Sequence, residues 1–85
     1  MGKYYVYIIH STKNYYYIGQ TQDLTERLKR HNSGRSKWTK GKGTWEFVVV
    51  KEFSSRSEAV QMEIKLKKMK SSKKAIEYLG NQLRV

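Results

Sequence analysis

Cysteine and proline are absent from the 85 residues, and histidine occurs only twice. Without cysteine there is no disulfide framework, no thiolate-based metal finger and no thiol nucleophile, and two histidines alone do not build a structural zinc site. A chain with no thiol to oxidise fits a reducing compartment, so a cytoplasmic location is expected. Long apolar runs are missing too. No window approaches the roughly 18 apolar residues of a membrane span, and no cationic segment followed by an apolar stretch suggests a secretory leader. Val6 departs from the pattern that N-myristoylation requires after Gly2. Acid is scarce as well: 7 Asp+Glu stand against 18 Lys+Arg, a formal net charge of +11. That excess points to a polyanionic partner, nucleic acid ahead of an anionic membrane surface.

What is present reads as one small domain over 1–85. A domain of this size buries only about 60–65% of the surface that its unfolded chain exposes. Tyr4-Tyr5-Val6-Tyr7-Ile8-Ile9 and Tyr15-Tyr16-Tyr17-Ile18 combine aromatic and β-branched side chains and predict two strands. The short polar link His10-Ser11-Thr12-Lys13-Asn14 makes them an antiparallel hairpin. A turn centred on Thr12 would set Tyr7 directly opposite Tyr17. Gly19 ends the second strand. Thr21 or Asp23 then caps a helix over about 22–31, stopped by Asn32-Ser33-Gly34. The Gly-, Ser- and Lys-rich segment 33–44 predicts a mobile basic loop with Trp38 as its one large apolar residue. A third strand covers 45–53. Ser54, Ser55 or Ser57 caps a helix to about Lys70 with Ala59, Met62, Leu66 and Met69 as its buried stripe, and a short helix over 73–79 ends at Gly80. The expectation is an α+β fold of order β-β-α-β-α-α, a three-stranded antiparallel sheet with helices packed on it.

Several residues stand where core or surface logic would not put them. Arg27 and His31 share the face of Leu24 and Leu28, and Glu63 sits on the shoulder of an apolar stripe. Each has an ordinary explanation. The tyrosines pack as strand aromatics, Arg27 extends past the leucines to water, His31 favours a helix C-terminus, and Glu63 pairs with Lys67. Together, however, two phenols, a guanidinium, an imidazole and a carboxylate supply what phosphodiester hydrolysis needs: proton transfer, stabilisation of phosphoryl charge and a hold on a divalent cation. A single carboxylate suits a one-metal site.

Tyr5-Val6-Tyr7, followed by Tyr17-Ile18-Gly19 and then Arg27, His31 and Glu63, resembles the GIY-YIG nuclease superfamily. The similarity is greatest to small stand-alone bacterial members related to the catalytic domain of the excision-repair nuclease subunit, and it takes in Arg30-His31-Asn32-Ser33-Gly34, Trp45 and Arg56-Ser57-Glu58-Ala59. It implies Tyr7 and Tyr17 lining the active site, with one of them the general base, and Arg27 meeting phosphoryl charge. It also implies His31 assisting proton transfer and Glu63 binding Mg2+ or Mn2+. Gly19 matches the second-motif glycine, which gives room for close packing or phosphate approach. Tyr5 replaces the first-motif glycine, and Asn81 is a weak match to an asparagine that some members carry. A phenol acting as base at neutral pH needs a lowered pKa, which Arg27 or Lys29 would have to provide.

The function expected is metal-dependent endonucleolytic hydrolysis of DNA, branched or damaged DNA included, with a protein partner as one source of specificity. The alternative is a catalytically weak DNA- or RNA-binding module of the same fold. Backbone grip falls to Lys29, Arg30, Arg35, Lys37, Lys40 and Lys42, a stretch without acid from Arg27 onward. Trp38 either stacks on a base or anchors the loop. The cations of 65–74 form a second contact surface or a solvated face.

Overall fold

The computed structural model describes residues 3–81. It contains β1 (Tyr4–Ser11), β2 (Tyr16–Thr21), α1 (Leu24–Asn32), β3 (Trp45–Phe53), α2 (Arg56–Lys68) and α3 (Ser72–Asn81). The strands form one antiparallel sheet in the order β2-β1-β3, so the expected α+β architecture is the one observed.

The central strand explains the layering. Val6, Tyr7, Ile8 and Ile9 are all fully buried, which a strand with one wet face would not allow. Val6 and Ile8 join Ala59, Leu66, Ala75 and Leu79 in a core under α2 and α3. Tyr7 and Ile9 join Trp45, with Leu24, Leu28 and Phe47 around them, in a second core under α1. The helices therefore cover opposite faces of the sheet. In β3 the register slips between Ile8 and Ile9, which pair with Val49 and Phe47. The extra residue, Val48, is left exposed. The bulge resets the alternation, so that Phe47 and Val50 both face the Tyr7 side.

The hairpin register differs from the one expected. Tyr7 lies opposite Gly19, and Tyr17 opposite Ile9. The cause is the turn. The Ser11 hydroxyl accepts from Lys13 N–H (3.2 Å) and Tyr15 N–H (3.1 Å), and Asn14 takes a left-handed φ of 65°. Thr12-Lys13-Asn14 thus forms a three-residue loop closed by an αL residue, one position later than a turn centred on Thr12. Tyr7 and Tyr17 remain on one face as diagonal neighbours, with ring centroids 6.3 Å apart.

Caps account for the helix starts. Asp23 accepts from Glu26 N–H at 3.0 Å, and Ser55 accepts from Glu58 N–H at 3.2 Å while the Glu58 carboxylate takes the Ser54 and Ser55 hydroxyls. Helix α2 ends at Lys68, short of Lys70, whose φ of 53° turns the chain into α3. Gly80 does not end α3, which continues to Asn81 because buried Ala75 and Leu79 hold it against the sheet.

Gly19 has a specific steric duty. A Cβ there would lie 2.6 Å from the Tyr7 hydroxyl oxygen and 3.0 Å from the Tyr17 ring. Gly19→Ala is expected to lower stability by roughly 1–3 kcal/mol through overpacking. Urea denaturation checks this, and an unchanged midpoint would show that the phenol yields freely.

Candidate active site

With no side chain at Gly19, the Tyr7 ring extends across β2 toward the sheet edge. Its hydroxyl meets His31 Nε2 at 2.9 Å in the interior. Helix α1 presents His31 one turn after Arg27 on its sheet-facing side, and His31 is only 3% exposed. The imidazole is enclosed by aromatics: Tyr17 at 4.9 Å and Trp45 at 6.5 Å between centroids. Its other nitrogen, Nδ1, is 2.8 Å from the Thr39 hydroxyl. That hydroxyl has its own acceptor, the Ser36 carbonyl at 3.4 Å. The chain of bonds assigns the tautomer: Thr39 donates to Ser36 and accepts from Nδ1–H, which leaves Nε2 bare to accept the Tyr7 proton.

The electrostatics agree. Burial, then Arg27 and Arg30, push the His31 pKa below its ordinary 6.5, so the ring is neutral near pH 7. Burial, reinforced by Tyr17, raises the Tyr7 phenol well above its ordinary 10.0, and the opposing pull of Arg27 is smaller. Glu63 adds a further small upward push. The expectation of a phenol acidified by a neighbouring cation is therefore reversed at Tyr7. The phenol is a protonated donor, and the basic atom beside it is His31 Nε2.

Glu63 approaches from the opposite layer. It lies on α2, on the far face of the sheet from α1. Gln20 is the link. Its side-chain amide donates to Glu63 Oε1 at 2.9 Å, and its carbonyl accepts from Arg27 Nη1 at 3.5 Å. The other carboxylate oxygen, Oε2, takes the Lys67 ammonium at 2.8 Å, so the surface pairing expected for Glu63 is real. The side chain of Lys67 is 52% exposed against 17% for that of Glu63, so the ammonium can leave for water while the carboxylate stays placed. Among the described residues no three His, Asp or Glu side chains cluster as metal ligands. A half-buried carboxylate fits Mg2+ or Mn2+ only once Lys67 has left it, the ion completing its shell with water and substrate phosphate.

Arg27 adjoins the Tyr7 phenol on one side and lines a cleft of about 130 Å³ with Tyr4, Gln20, Thr21, Gln22 and Arg56 on the other. Its Nε is buried without a hydrogen-bond partner. Arg56 is the first residue of α2, where the helix end adds partial positive charge. The guanidinium groups of Arg27 and Arg56 around a small cleft suit a phosphate.

A profile described as the GIY-YIG catalytic domain matches residues 3–75. The chain belongs to the GIY-YIG family. Among its relatives, the UPF0213 protein OB0043 of Oceanobacillus iheyensis is 38% identical over 68 residues, covering 79% of each chain. The UPF0213 protein YazA of Bacillus subtilis is 35% identical over 76 residues, 88% of this chain and 77% of that one. The solution NMR structure of the UPF0213 protein BH0048 from Bacillus halodurans superposes with a TM-score of 0.57 at 33% identity, covering 92% of this chain and 83% of that one.

For this GIY-YIG chain, the five residues singled out in the sequence are joined by the seam at Gly19 and Gln20. Gly19 serves packing against Tyr7. Asn81 is exposed at the end of α3, on the layer away from His31. Lys29, Arg35, Lys37 and Lys40 are exposed and Lys42 half-buried. Arg30 is exposed but bonded to Glu26 at 3.2 Å. Thr39, Gln20 and Arg56 were not singled out. Thr39 sits in a polar loop with no periodicity to mark it, and Gln20 follows the motif glycine on an edge strand. Arg56 carried a signal, a cation at a helix start.

Two consequences are measurable. Thr39→Val leaves Nδ1–H unpaired in the interior and is expected to cost about 1–3 kcal/mol of stability, with Thr39→Ser retaining most of it; equal losses in urea melts would remove the hydroxyl from the account. His31 has a folded pKa below its unfolded one, so the unfolded state binds the extra proton first. Stability is full above about pH 6.5 and is lost as pH falls through the lowered pKa. His31→Gln should flatten that slope in melts across pH 4.5–7.5, and an unaltered slope would place the titration elsewhere.

Proposed function

We propose that this chain is a divalent-metal-dependent endonuclease that hydrolyses DNA phosphodiester bonds. The observation that carries the reading is the 2.9 Å contact of the buried Tyr7 hydroxyl with His31 Nε2, with Arg27 beside the phenol. Membership of the GIY-YIG family supports DNA as the substrate.

The scissile phosphate docks at the Arg27 and Arg56 cleft, where the guanidinium groups meet the charge that grows on the phosphoryl oxygens. Once substrate opens the fully buried phenol to the cleft, the attacking water gives its proton to the Tyr7 oxygen as Tyr7 passes its own to His31 Nε2. This relay never requires a free phenolate, the species that burial disfavours at Tyr7. The resulting imidazolium keeps its Nδ1–H on Thr39. As the new P–O bond forms, the bond to the 3′-oxygen breaks, that oxygen takes a proton from solvent, and His31 returns its proton to solvent. Glu63 is the residue that would hold a divalent cation, which would supply Lewis-acid stabilisation of the phosphoryl charge. Selectivity among branched or damaged forms falls to the basic 29–42 surface or to a protein partner.

One observation favours a second reading, a binding module with little catalysis: both Glu63 oxygens are engaged, by Gln20 and Lys67. Supercoiled-plasmid nicking with Mg2+ or Mn2+ decides between the two. Wild type is expected to nick, Tyr7→Phe to lose about 10²–10⁴-fold, and Glu63→Gln to keep DNA binding while losing cleavage. Lys67→Ala should lower the Mg2+ concentration needed for half-maximal activity. Binding without cleavage by the wild type under both metals would select the second reading.

A further inference from the structure

The β1–β2 turn and the 33–44 segment are locked together. Thr12 N–H donates to the Thr44 carbonyl at 2.9 Å, Thr44 N–H donates to the Thr12 hydroxyl at 3.1 Å, and the Lys13 ammonium donates to the Gly41 carbonyl at 3.4 Å. From below, Thr39 is buried on His31, and its carbonyl takes Trp45 Nε1–H at 3.3 Å. The segment expected to be a mobile loop is thus a shelf pinned at both ends and in the middle. Trp38 does not do the pinning: it is 70% exposed. Tyr15, brought alongside from the hairpin, is 48% exposed. Lys42 joins the two, its ammonium donating to the Trp38 carbonyl at 2.6 Å while standing 5.4 Å from the centre of the Tyr15 ring. No acid occurs between Arg27 and Thr44.

A duplex backbone calls only for cations, and it has no use for two exposed aromatic faces. Unpaired bases present π-faces that stack on such rings, while their phosphates meet the ammonium groups around them. The shelf also abuts the site, since Trp38 directly precedes the residue that holds His31. We propose that Tyr15, Lys42 and Trp38 form a stacking platform for unpaired bases, so that the DNA this chain acts on carries a single-stranded arm beside the phosphate at Arg27. The assignment of DNA and of the phosphate rests on the reading given above; the platform itself is tested by binding alone.

The probes are a 12-nucleotide oligo(dT), the same length of oligo(rU), and a blunt duplex, added to the full chain. Oligo(dT) is expected to quench Trp38 emission, with the buried Trp45 as the background that remains in Trp38→Ala. Trp38→Ala should weaken oligo(dT) binding about 5–150-fold, the worth of one stacked base, and leave duplex binding within about twofold. Trp38→Tyr should restore most of the loss, and Tyr15→Ala should reproduce it. Absence of quenching, or equal losses for oligo(dT) and duplex, would overturn the platform. Tighter binding of oligo(rU) than of oligo(dT) would overturn the assignment to DNA. A chain that stacks oligo(dT) through Trp38 yet cuts neither plasmid nor a duplex carrying a single-stranded arm upholds the platform and sinks the nuclease reading, so the two fail separately.

Discussion

The contact of the Tyr7 hydroxyl with His31 Nε2, 2.9 Å long and shut away from water, is the constraint on which the rest depends. It requires a glycine opposite Tyr7, because any side chain at residue 19 would stand where the phenol passes. It requires a hairpin whose turn brings that glycine into register, and the Ser11 and Asn14 geometry does so. It also requires an acceptor at Nε2, which Thr39 secures by taking the proton on the other nitrogen. A loop hydroxyl thereby sets the tautomer of a strand tyrosine's partner. Burial strengthens the arrangement, since it keeps the phenol protonated and the imidazole neutral.

Much of this fold could be read from the residues. The unbroken apolar run of β1, the Asp23 and Ser55 caps and the 3.6-residue stripe of α2 are local signals, and each element formed close to where those signals put it. The register was less legible, because it turns on which hydroxyl caps the turn and on one left-handed Asn, and neither alters the apolar pattern. Gly80 misled for a related reason: glycine stops a helix only where packing does not hold it, and Leu79 does.

The site was legible as a set of residue types and less so as a geometry. Arg27 and His31 announced themselves as polar groups on an apolar helical face, and Glu63 as a carboxylate on the edge of a stripe. Which face of the sheet each helix covers is not written in any periodicity. The chemistry read from the residue types needs Glu63 and His31 in one region, whereas their helices lie on opposite sides of the sheet. Gln20 joins them, a residue with no pattern of its own on an edge strand. Thr39 was hidden in the same way, inside a segment whose composition suggests only mobility.

The link through Gln20 has a bearing on cooperativity. The phenol, imidazole and guanidinium belong to one layer and the sheet, and the carboxylate belongs to the other layer. If α2 and α3 lift away, the carboxylate leaves the phenol and guanidinium behind. Local opening of a single layer is thus enough to disassemble the set, and only the fully docked molecule holds all its groups together. A partly opened chain keeps its basic 29–42 surface but no longer holds the assembled set of groups.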